Sequence, residues 1–222
     1  MSSTTGSGER HRIDTSMMYA VHDAFQRDLD RLTALADRGA ESGAANGPAV
    51  WACWERFKTF LHVHHTAEDT HLWPVLRAKS AGRPAELAVL EQMENEHTGL
   101  TALLDAVDTA LSASRTPHQL KSHAERLSRG LTAHCEHEED IALPLVADLL
   151  TSQEWAAFGA EQRRQLGLSG AASFFPWLLD GATDEVQRTV LAVLPPPVRL
   201  LYRALWRPRY LRGPRWQALA GA

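Results

Sequence analysis

Two segments of the chain carry the same pattern of side chains that can bind a metal. In each segment a glutamate follows a histidine by four residues, and the two pairs are His64 with Glu68 and His134 with Glu138. A proline follows each of these histidines by ten residues. Residues four apart lie on one face of an α-helix, so an imidazole nitrogen and a carboxylate oxygen can reach the same point. The two copies predict a metal site built from two repeats.

A single histidine precedes each repeat on a separate predicted helix. His22 lies on or beside the apolar stripe of one helix, and His97 interrupts the apolar face of another. Alone, a histidine on an apolar face is more often a hydrogen-bonded core residue than a ligand. The two histidines nevertheless occupy matching places in two successive helix pairs, and this repetition favours a ligand role for both.

The candidate ligands are four imidazoles and two carboxylates: His22, His64, Glu68, His97, His134 and Glu138. Such donors suit iron, manganese or zinc better than calcium or copper(I). Carboxylates can bridge two ions, which favours a dinuclear centre. Six protein ligands would leave positions on two metals open to dioxygen, hydrogen peroxide, nitric oxide or water, as a reactive site requires.

These motifs resemble those of the hemerythrin-like family, the HHE cation-binding proteins. The resemblance rests on the six candidate ligands together with Leu72-Trp-Pro74 and Leu143-Pro144, and it covers roughly residues 14–150. It implies a four-helix bundle around a non-haem di-iron centre, with Glu68 and Glu138 bridging the ions and the histidines as terminal ligands. Myohemerythrin itself is a standard example of an up-down-up-down bundle.

The third predicted helix departs from the pattern of the oxygen carriers in this family. Those members have a His-x-x-x-His pair there, whereas Met93 lies four residues before His97. By resemblance, the missing histidine disfavours reversible oxygen carriage and favours a centre that reacts with peroxide, dioxygen or nitric oxide. His65, His71 or Glu94 could take its place, and the sequence does not choose among them.

A ferritin-like di-iron site is the nearest competing hypothesis. The segments 68–71 and 94–97 both have the Glu-x-x-His spacing that such sites use. Ferritin-like sites alternate a helix that carries one glutamate with a helix that carries Glu-x-x-His, whereas the fourth helix here offers His134 before Glu138. The order of ligands therefore favours the hemerythrin-like arrangement.

The remaining polar residues of the two repeats have supporting roles in this interpretation. We expect His62, His65 and His137 to lie at the rim or to hydrogen-bond the ligating carboxylates. Asp69 and Glu139 are expected either to hydrogen-bond ligands or to be solvated charges.

Apolar periodicity predicts four long helices joined by short connections. They are expected over about 14–38 and 49–79, from Pro84 through the stripe that ends at Leu104, and over about 117–150, with a kink or an end at Pro74. Four such helices fold most simply as an up-down-up-down four-helix bundle. The predicted fold class is all-α, with the bundle at residues 14–150.

The composition is that of an ordinary globular protein. The 222 residues are 44% hydrophobic and 23% charged, enough to bury a sizeable core. The two cysteines, Cys53 and Cys135, have no CxxC spacing, which argues against a disulfide framework and a thiolate zinc site. Because neither a secretory pattern nor a membrane-spanning run is present, we expect a cytoplasmic protein. A disordered tail is expected at residues 1–13.

Residues 151–222 are expected to form a C-terminal helical extension with a basic tail. A capping box at 151–154, a helix over about 183–194 and a basic amphipathic helix over 198–206 are predicted. Residues 186–222 carry seven arginines and no acid, and subtracting that +7 from the total of −4 leaves −11 for the preceding residues. Arginines beside an acidic body favour packing on that body or on a partner chain over binding to nucleic acid.

The sequence thus favours a non-haem di-iron protein that binds or turns over dioxygen-derived species. Its expected cofactor is two iron ions, with zinc or manganese as alternatives. The most concrete activity is catalase-like decomposition of hydrogen peroxide. The alternative is a non-enzymatic sensor or binding protein for oxygen, nitric oxide or iron that signals through the extension. Neither nucleic acid binding nor a membrane span is expected, and the sequence assigns no protein partner or oligomeric state.

Overall fold

The structure is a computed structural model that describes residues 13–42, 47–113 and 117–220. Within these ranges the chain is helical and contains no strand, which confirms the predicted all-α class. The α-helices are α1 (Ser16–Ser42), α2 (Pro48–Ala67), α3 (Trp73–Lys79), α4 (Pro84–Ser112), α5 (Pro117–His137), α6 (Leu143–Leu149), α7 (Ser152–Leu178), α8 (Asp184–Val193), α9 (Pro196–Leu201), α10 (Arg207–Leu211) and α11 (Trp216–Ala220).

The sequence also led to expectations about the N-terminal tail, the arrangement of the long helices and a membrane span. The expected tail at residues 1–13 lies outside the described residues except for Ile13, which is buried. The up-down-up-down order of the long helices and the domain boundary near residue 150 stay predictions. Among the described residues, no helix is both long enough and apolar enough to cross a membrane.

The two motif prolines do not end their helices, because each is preceded by a short π-helical segment. The segment Glu68–Leu72 joins α2 to α3, and Glu138–Ala142 joins α5 to α6. Proline removes one backbone N–H and crowds the carbonyl four residues earlier. A π turn avoids this by pairing an N–H with the carbonyl five residues back, as the N–H of Trp73 does with the carbonyl of Glu68. The kink expected at Pro74 is therefore a π bulge that begins at a candidate ligand.

The candidate ligands form a polar layer between two apolar clusters. On α1, His22 separates Met18 of one cluster from Phe25 of the other. The same order holds on α4 with Met93, His97 and Leu100. Large side chains of both clusters, such as Phe57 and Trp73, are fully buried. The polar layer is therefore shielded from bulk water on two sides.

The C-terminal extension begins with the capping box predicted at 151–154. The Thr151 hydroxyl accepts a hydrogen bond from the backbone N–H of Glu154 at 3.3 Å, and the Glu154 carboxylate accepts one from the N–H of Thr151 at 2.7 Å. Gly167, with φ of +60°, breaks α7 in its middle, a conformation that glycine adopts without a Cβ clash. The helix then continues to Leu178.

The extension packs against α1 and α2, the helices that carry His22 and His64. Trp177 lies in the same apolar cluster as Phe25, with ring centroids 5.2 Å apart. Its indole N–H donates to the buried Asp28 carboxylate at 2.7 Å. Arg27 and Arg31 of α1 donate to backbone carbonyls at the end of α7 and just after it. The extension is therefore docked on the body, through apolar contacts and through arginines of the body instead of its own.

One face of the extension leaves leucines exposed among arginines. Leu200 and Leu205 are 68% and 54% exposed, whereas Tyr202 and Trp206 of the same segment are buried. Arg203 is exposed beside them. The segment therefore packs its aromatic side on the body and leaves an outward face that carries both leucine and arginine, unlike the predicted amphipathic helix.

Candidate metal centre

All six candidate ligands are buried and meet in one place. His22 comes from α1, His64 from α2 and His97 from α4. His134 lies near the end of α5, and each glutamate is the first residue of a π segment. Both glutamate side chains are 0% exposed. Glutamate is rarely buried this completely without a charged or hydrogen-bonding partner, so the layer needs a compensating positive charge.

The first group of ligand atoms joins His22, His64, Glu68 and Glu138. One ligand atom from each lies within 4.8 Å of the others. The Nε2 atoms of His22 and His64 are 3.1 Å apart, and each lies 3.1 Å from a carboxylate oxygen, of Glu138 and Glu68 respectively. Two nitrogens and two oxygens thus converge on one point.

The second group joins His97 and His134 with His65, whose ligand atoms also lie within 4.8 Å of one another. The Nε2 atoms of His97 and His134 are 3.2 Å apart. Glu68 reaches this group too, because its Oε2 lies 3.6 Å from the Nε2 of His97. Its other oxygen faces His64, so Glu68 lies between the two groups.

Carboxylates on the far side of the imidazole rings fix which nitrogen faces the centre. The Nδ1 atoms of His22 and His97 lie 2.7 and 2.8 Å from oxygens of Glu139 and Asp69. His134 pairs in the same way with Glu96 at 2.8 Å. When Nδ1–H donates to a carboxylate, the neutral ring directs its Nε2 lone pair inward. These are the hydrogen bonds that orient metal-ligating histidines.

The resulting arrangement fits a cation better than a hydrogen-bond network. In neutral His97 and His134 both Nδ1–H groups are used, so no proton remains between Nε2 atoms only 3.2 Å apart. The buried oxygens of Glu68 and Glu138 have no hydrogen-bond partner among the described residues. Lone pairs that converge without donors are costly unless a positive ion satisfies them. The donor set therefore fits a metal.

The pKa values of these groups are shifted in opposite directions. Burial raises the pKa of Glu68 well above its ordinary value, and the charge of Glu138 adds to that effect. Burial lowers the pKa of His64 well below its ordinary value, with help from the neighbouring histidines. Burial is the largest single effect on His22 and opposes its protonation, but the charge of Glu138 and the hydrogen bonds with Cys135, Glu138 and Glu139 together raise the pKa of His22 well above its usual range. A cation would favour ionised carboxylates and neutral imidazoles together.

Other histidines and acids near the motifs lie outside the ligand cluster. His62, His71 and Glu94 are exposed, and Glu94 pairs with Arg77 at 2.6 Å. Because His71 and Glu94 lie outside the cluster, the Glu-x-x-His segments of the ferritin-like hypothesis do not assemble here. Met93 is fully buried in the apolar cluster that also contains Trp73.

Sequence reasoning missed one residue of the site and left the role of another open. Glu96 accepts hydrogen bonds from the Nδ1 atoms of both His134 and His137, each at 2.8 Å. His65 was expected at the rim or on a carboxylate, and an added ligand role for it was left open; its Nε2 is buried without a hydrogen-bond partner among the described residues, and one of its ring nitrogens belongs to the second ligand group. Glu96 directly precedes His97, yet nothing in one sequence indicates that it supports a histidine of another helix.

A buried cluster of histidines and glutamates, in a chain whose described residues contain helices and no strand, defines a metal-binding helical domain. The family model of the hemerythrin HHE cation binding domain matches residues 14–146, and the chain belongs to this family. The match includes all six candidate ligands. No curated protein and no solved structure matches the chain.

Proposed function

We propose that the polar layer holds two iron ions and that the loaded centre binds small dioxygen-derived ligands such as hydrogen peroxide, dioxygen or nitric oxide. The observation that carries this proposal is the convergence of four imidazole Nε2 atoms and two unpartnered carboxylates. Membership of the hemerythrin HHE family supports iron over zinc or manganese, although all three metals suit these donors.

The two ligand groups support two ions instead of one. His22 and His64 would hold the first ion, and His97 and His134 the second. Glu68 has one oxygen 3.1 Å from the Nε2 of His64 and the other 3.6 Å from the Nε2 of His97, which suits a bridging carboxylate. Glu138, also fully buried, is the second candidate bridge.

The protein contributes orientation and a dry surrounding to this chemistry. Glu139, Asp69 and Glu96 hold three rings with their Nε2 atoms toward the centre. The two apolar clusters exclude bulk water from the layer. Iron, when bound, supplies one-electron redox chemistry and open positions for small oxygen ligands. Decomposition of hydrogen peroxide to water and dioxygen is the most concrete activity that this combination supports.

A sensor is the second candidate, because the extension touches the site. Helix α7 packs against the π segment that begins at Glu68. The Nε2 of His71 in that segment lies 3.8 Å from the Glu161 carboxylate of α7. A ligand that shifts Glu68 could therefore alter the docking of the extension.

Metal substitution tests the redox proposal directly. The full chain is loaded with iron or with zinc, and the decay of hydrogen peroxide and the release of dioxygen are followed. We expect the iron form to release dioxygen faster than the same concentration of free iron, and the zinc form to be inactive, because zinc has no redox chemistry.

An iron form no faster than free iron would contradict the enzymatic proposal. The sensor proposal is tested on the same iron-loaded sample by backbone hydrogen exchange in residues 151–222. Exchange that changes when nitric oxide or dioxygen is added would support it. Unchanged exchange would contradict it.

A further inference from the structure

Exposed apolar side chains are concentrated in one segment of the C-terminal extension. Of the large hydrophobic residues that are exposed in the described ranges, five lie between residues 193 and 211: Val193, Leu200, Leu201, Leu205 and Leu211. The other three lie on separate elements, Tyr19 on α1, Ile141 in the second π segment and Leu168 on α7. Single exposed apolar residues are ordinary, whereas a group of them marks a surface that binds something.

The helix over residues 196–211 arranges these side chains in rows, because residues four apart are neighbours on a helix surface. It consists of α9, a π segment (Tyr202–Trp206) and α10. One row packs on the body and contains Tyr202, Trp206 and Tyr210. The two rows that precede it around the helix are apolar and largely exposed, and they contain Leu200 with Ala204 and Leu201 with Leu205. The helix thus turns leucines toward solvent, away from its aromatic row.

A row of arginines lies between the aromatic row and the leucines. It contains Arg199, Arg203 and Arg207, of which the last two are exposed. The arginines that pair with carboxylates in the described part of the chain are Arg31, Arg77, Arg83 and Arg164, all before residue 186. Residues 186–222 contain no acid of their own. The arginine row is therefore available to an external anion.

A partner for this face must offer negative charge beside an apolar phase. Nucleic acid offers phosphates but no apolar phase for exposed leucines. The acidic body of a second copy offers charge, but its described exposed apolar side chains lie on separate elements. The boundary between the headgroups and the acyl chains of an anionic bilayer offers both together. Leucines enter such a boundary while arginines stay with the phosphates.

We propose that the helix over residues 196–211 binds the surface of an anionic lipid bilayer, with Leu200 and Leu205 in the headgroup boundary and Arg203 and Arg207 on lipid phosphates. The helix lies along the surface and does not cross the membrane. Residues 1–185 carry a net charge of −11, so the same surface repels them and orients the protein with its extension toward the lipid. Because the extension docks on α1 and α2, the metal layer would be held close to the membrane.

Cosedimentation of the full chain with lipid vesicles tests this proposal. One set of vesicles contains phosphatidylglycerol and phosphatidylcholine in equal parts, and the other contains phosphatidylcholine alone. We expect wild type to bind the anionic vesicles at least about tenfold more tightly than the neutral ones, because each arginine near an anionic surface adds to the attraction. Added salt should weaken the binding, since it screens this attraction.

Two double variants separate the apolar contribution from the charged one. Leu200→Ser with Leu205→Ser should weaken binding to anionic vesicles at least about tenfold, because two side chains no longer enter the boundary. Arg203→Gln with Arg207→Gln should weaken it about thirtyfold. All four side chains are exposed, so the circular dichroism of both variants should show the helix content of wild type.

Control variants make the same changes elsewhere on the surface. Leu168→Ser alters a leucine of α7 that is 88% exposed, and Arg126→Gln with Arg129→Gln removes two exposed arginines of α5. Both controls should retain wild-type affinity for the anionic vesicles. Losses in the controls equal to those in the test variants would overturn the proposal, because binding would not depend on this helix.

Three further results would overturn the proposal. Wild type could fail to bind anionic vesicles, or could bind neutral vesicles equally well. Both test variants could bind as tightly as wild type. Sedimentation equilibrium without lipid could show a wild-type dimer that Leu200→Ser with Leu205→Ser converts to a monomer, which would assign the face to a second copy of the chain.

Discussion

The two halves of the metal layer repeat the same motif, a lone histidine and a His-x-x-x-Glu pair, but these side chains are supported differently. In the second half, Glu96 fixes the Nδ1 of His134, whereas the Nδ1 of His64 has no hydrogen-bond partner among the described residues. The residue that matches Glu96 in the first half is Val21, which is buried in the apolar core. A repeat can therefore preserve its metal donors while the residues that hold them diverge.

In the first half, the helices that carry His22 and His64 are held in place by packing of the C-terminal extension. Helices α7, α8 and α11 pack against α1, and α7 and α11 pack against α2. The ring of Phe25, in contact with Trp177 of the extension, also lies 5.6 Å from that of His64. Packing thus holds His64 where a carboxylate holds His134.

The largest expected effect concerns the docking of the extension on the first half. Burial raises the pKa of Asp28 to about 6, from 3.8, although the Trp177 hydrogen bond and Arg31 oppose the shift. Because the folded pKa is above the unfolded one, the protonated side chain stabilises the fold below pH 3.8, and this contribution is lost as pH rises through 6. The shift corresponds to about 3 kcal/mol.

Asp28→Asn should remove this pH dependence while it keeps an oxygen that can accept from Trp177. Denaturant unfolding of the metal-free protein is measured for both chains from pH 4 to pH 7. As the pH rises from 4 to 7, wild type should lose stability that the variant keeps. The free energy of unfolding of the variant minus that of wild type should therefore increase by at most about 3 kcal/mol. Asp30→Asn, at an exposed site of α1, is the matched control. A constant difference between Asp28→Asn and wild type would contradict the account.

The next largest effect is on metal affinity and concerns Glu96, the carboxylate that supports His134 in the second half. Glu96→Ala leaves the Nδ1 atoms of His134 and His137 without their acceptor. Loss of such a partner typically weakens metal binding ten- to a hundredfold, or about 1.4 to 2.7 kcal/mol. Iron competition with a chelator measures the change. The exposed Glu94→Ala should retain wild-type affinity, and equal affinities for both variants would show that Glu96 does not orient the site.

The smallest effect concerns the start of the extension, away from both halves. Thr151→Ala removes the hydroxyl that accepts from the N–H of Glu154. Loss of such a cap costs about 1 kcal/mol. Urea unfolding should detect this cost, while iron content stays at the wild-type level. Reduced iron content would show that the start of α7 affects the site more than its packing indicates.

The sequence predicted the converging side chains because their spacing follows helix geometry. His64 and Glu68 can share a target on any regular helix, and the same holds for His134 and Glu138. The matching places of His22 and His97 then indicated the other two helices. The helices were also predictable from apolar periodicity, and the described α1 to α6 follow the expected segments closely.

What could not be predicted depends on how the helices turn against each other. Glu96 supports a histidine on α5, and His65 stacks on one from α4, so both roles arise only after packing. The π segments were unexpected for a different reason. A proline can end, kink or widen a helix, and only the packed chain selects among these. The position of Glu68 at the start of its bulge follows from that selection.

The most direct test of the account is the iron content of the full chain after anaerobic reconstitution with excess iron(II). We predict two iron ions per chain for wild type and almost none for the double variant His64→Ala with His134→Ala, because each half loses an inward nitrogen. His62→Ala should retain both ions. Less than one iron ion per wild-type chain, or an unchanged iron content in the double variant, would contradict the central claim.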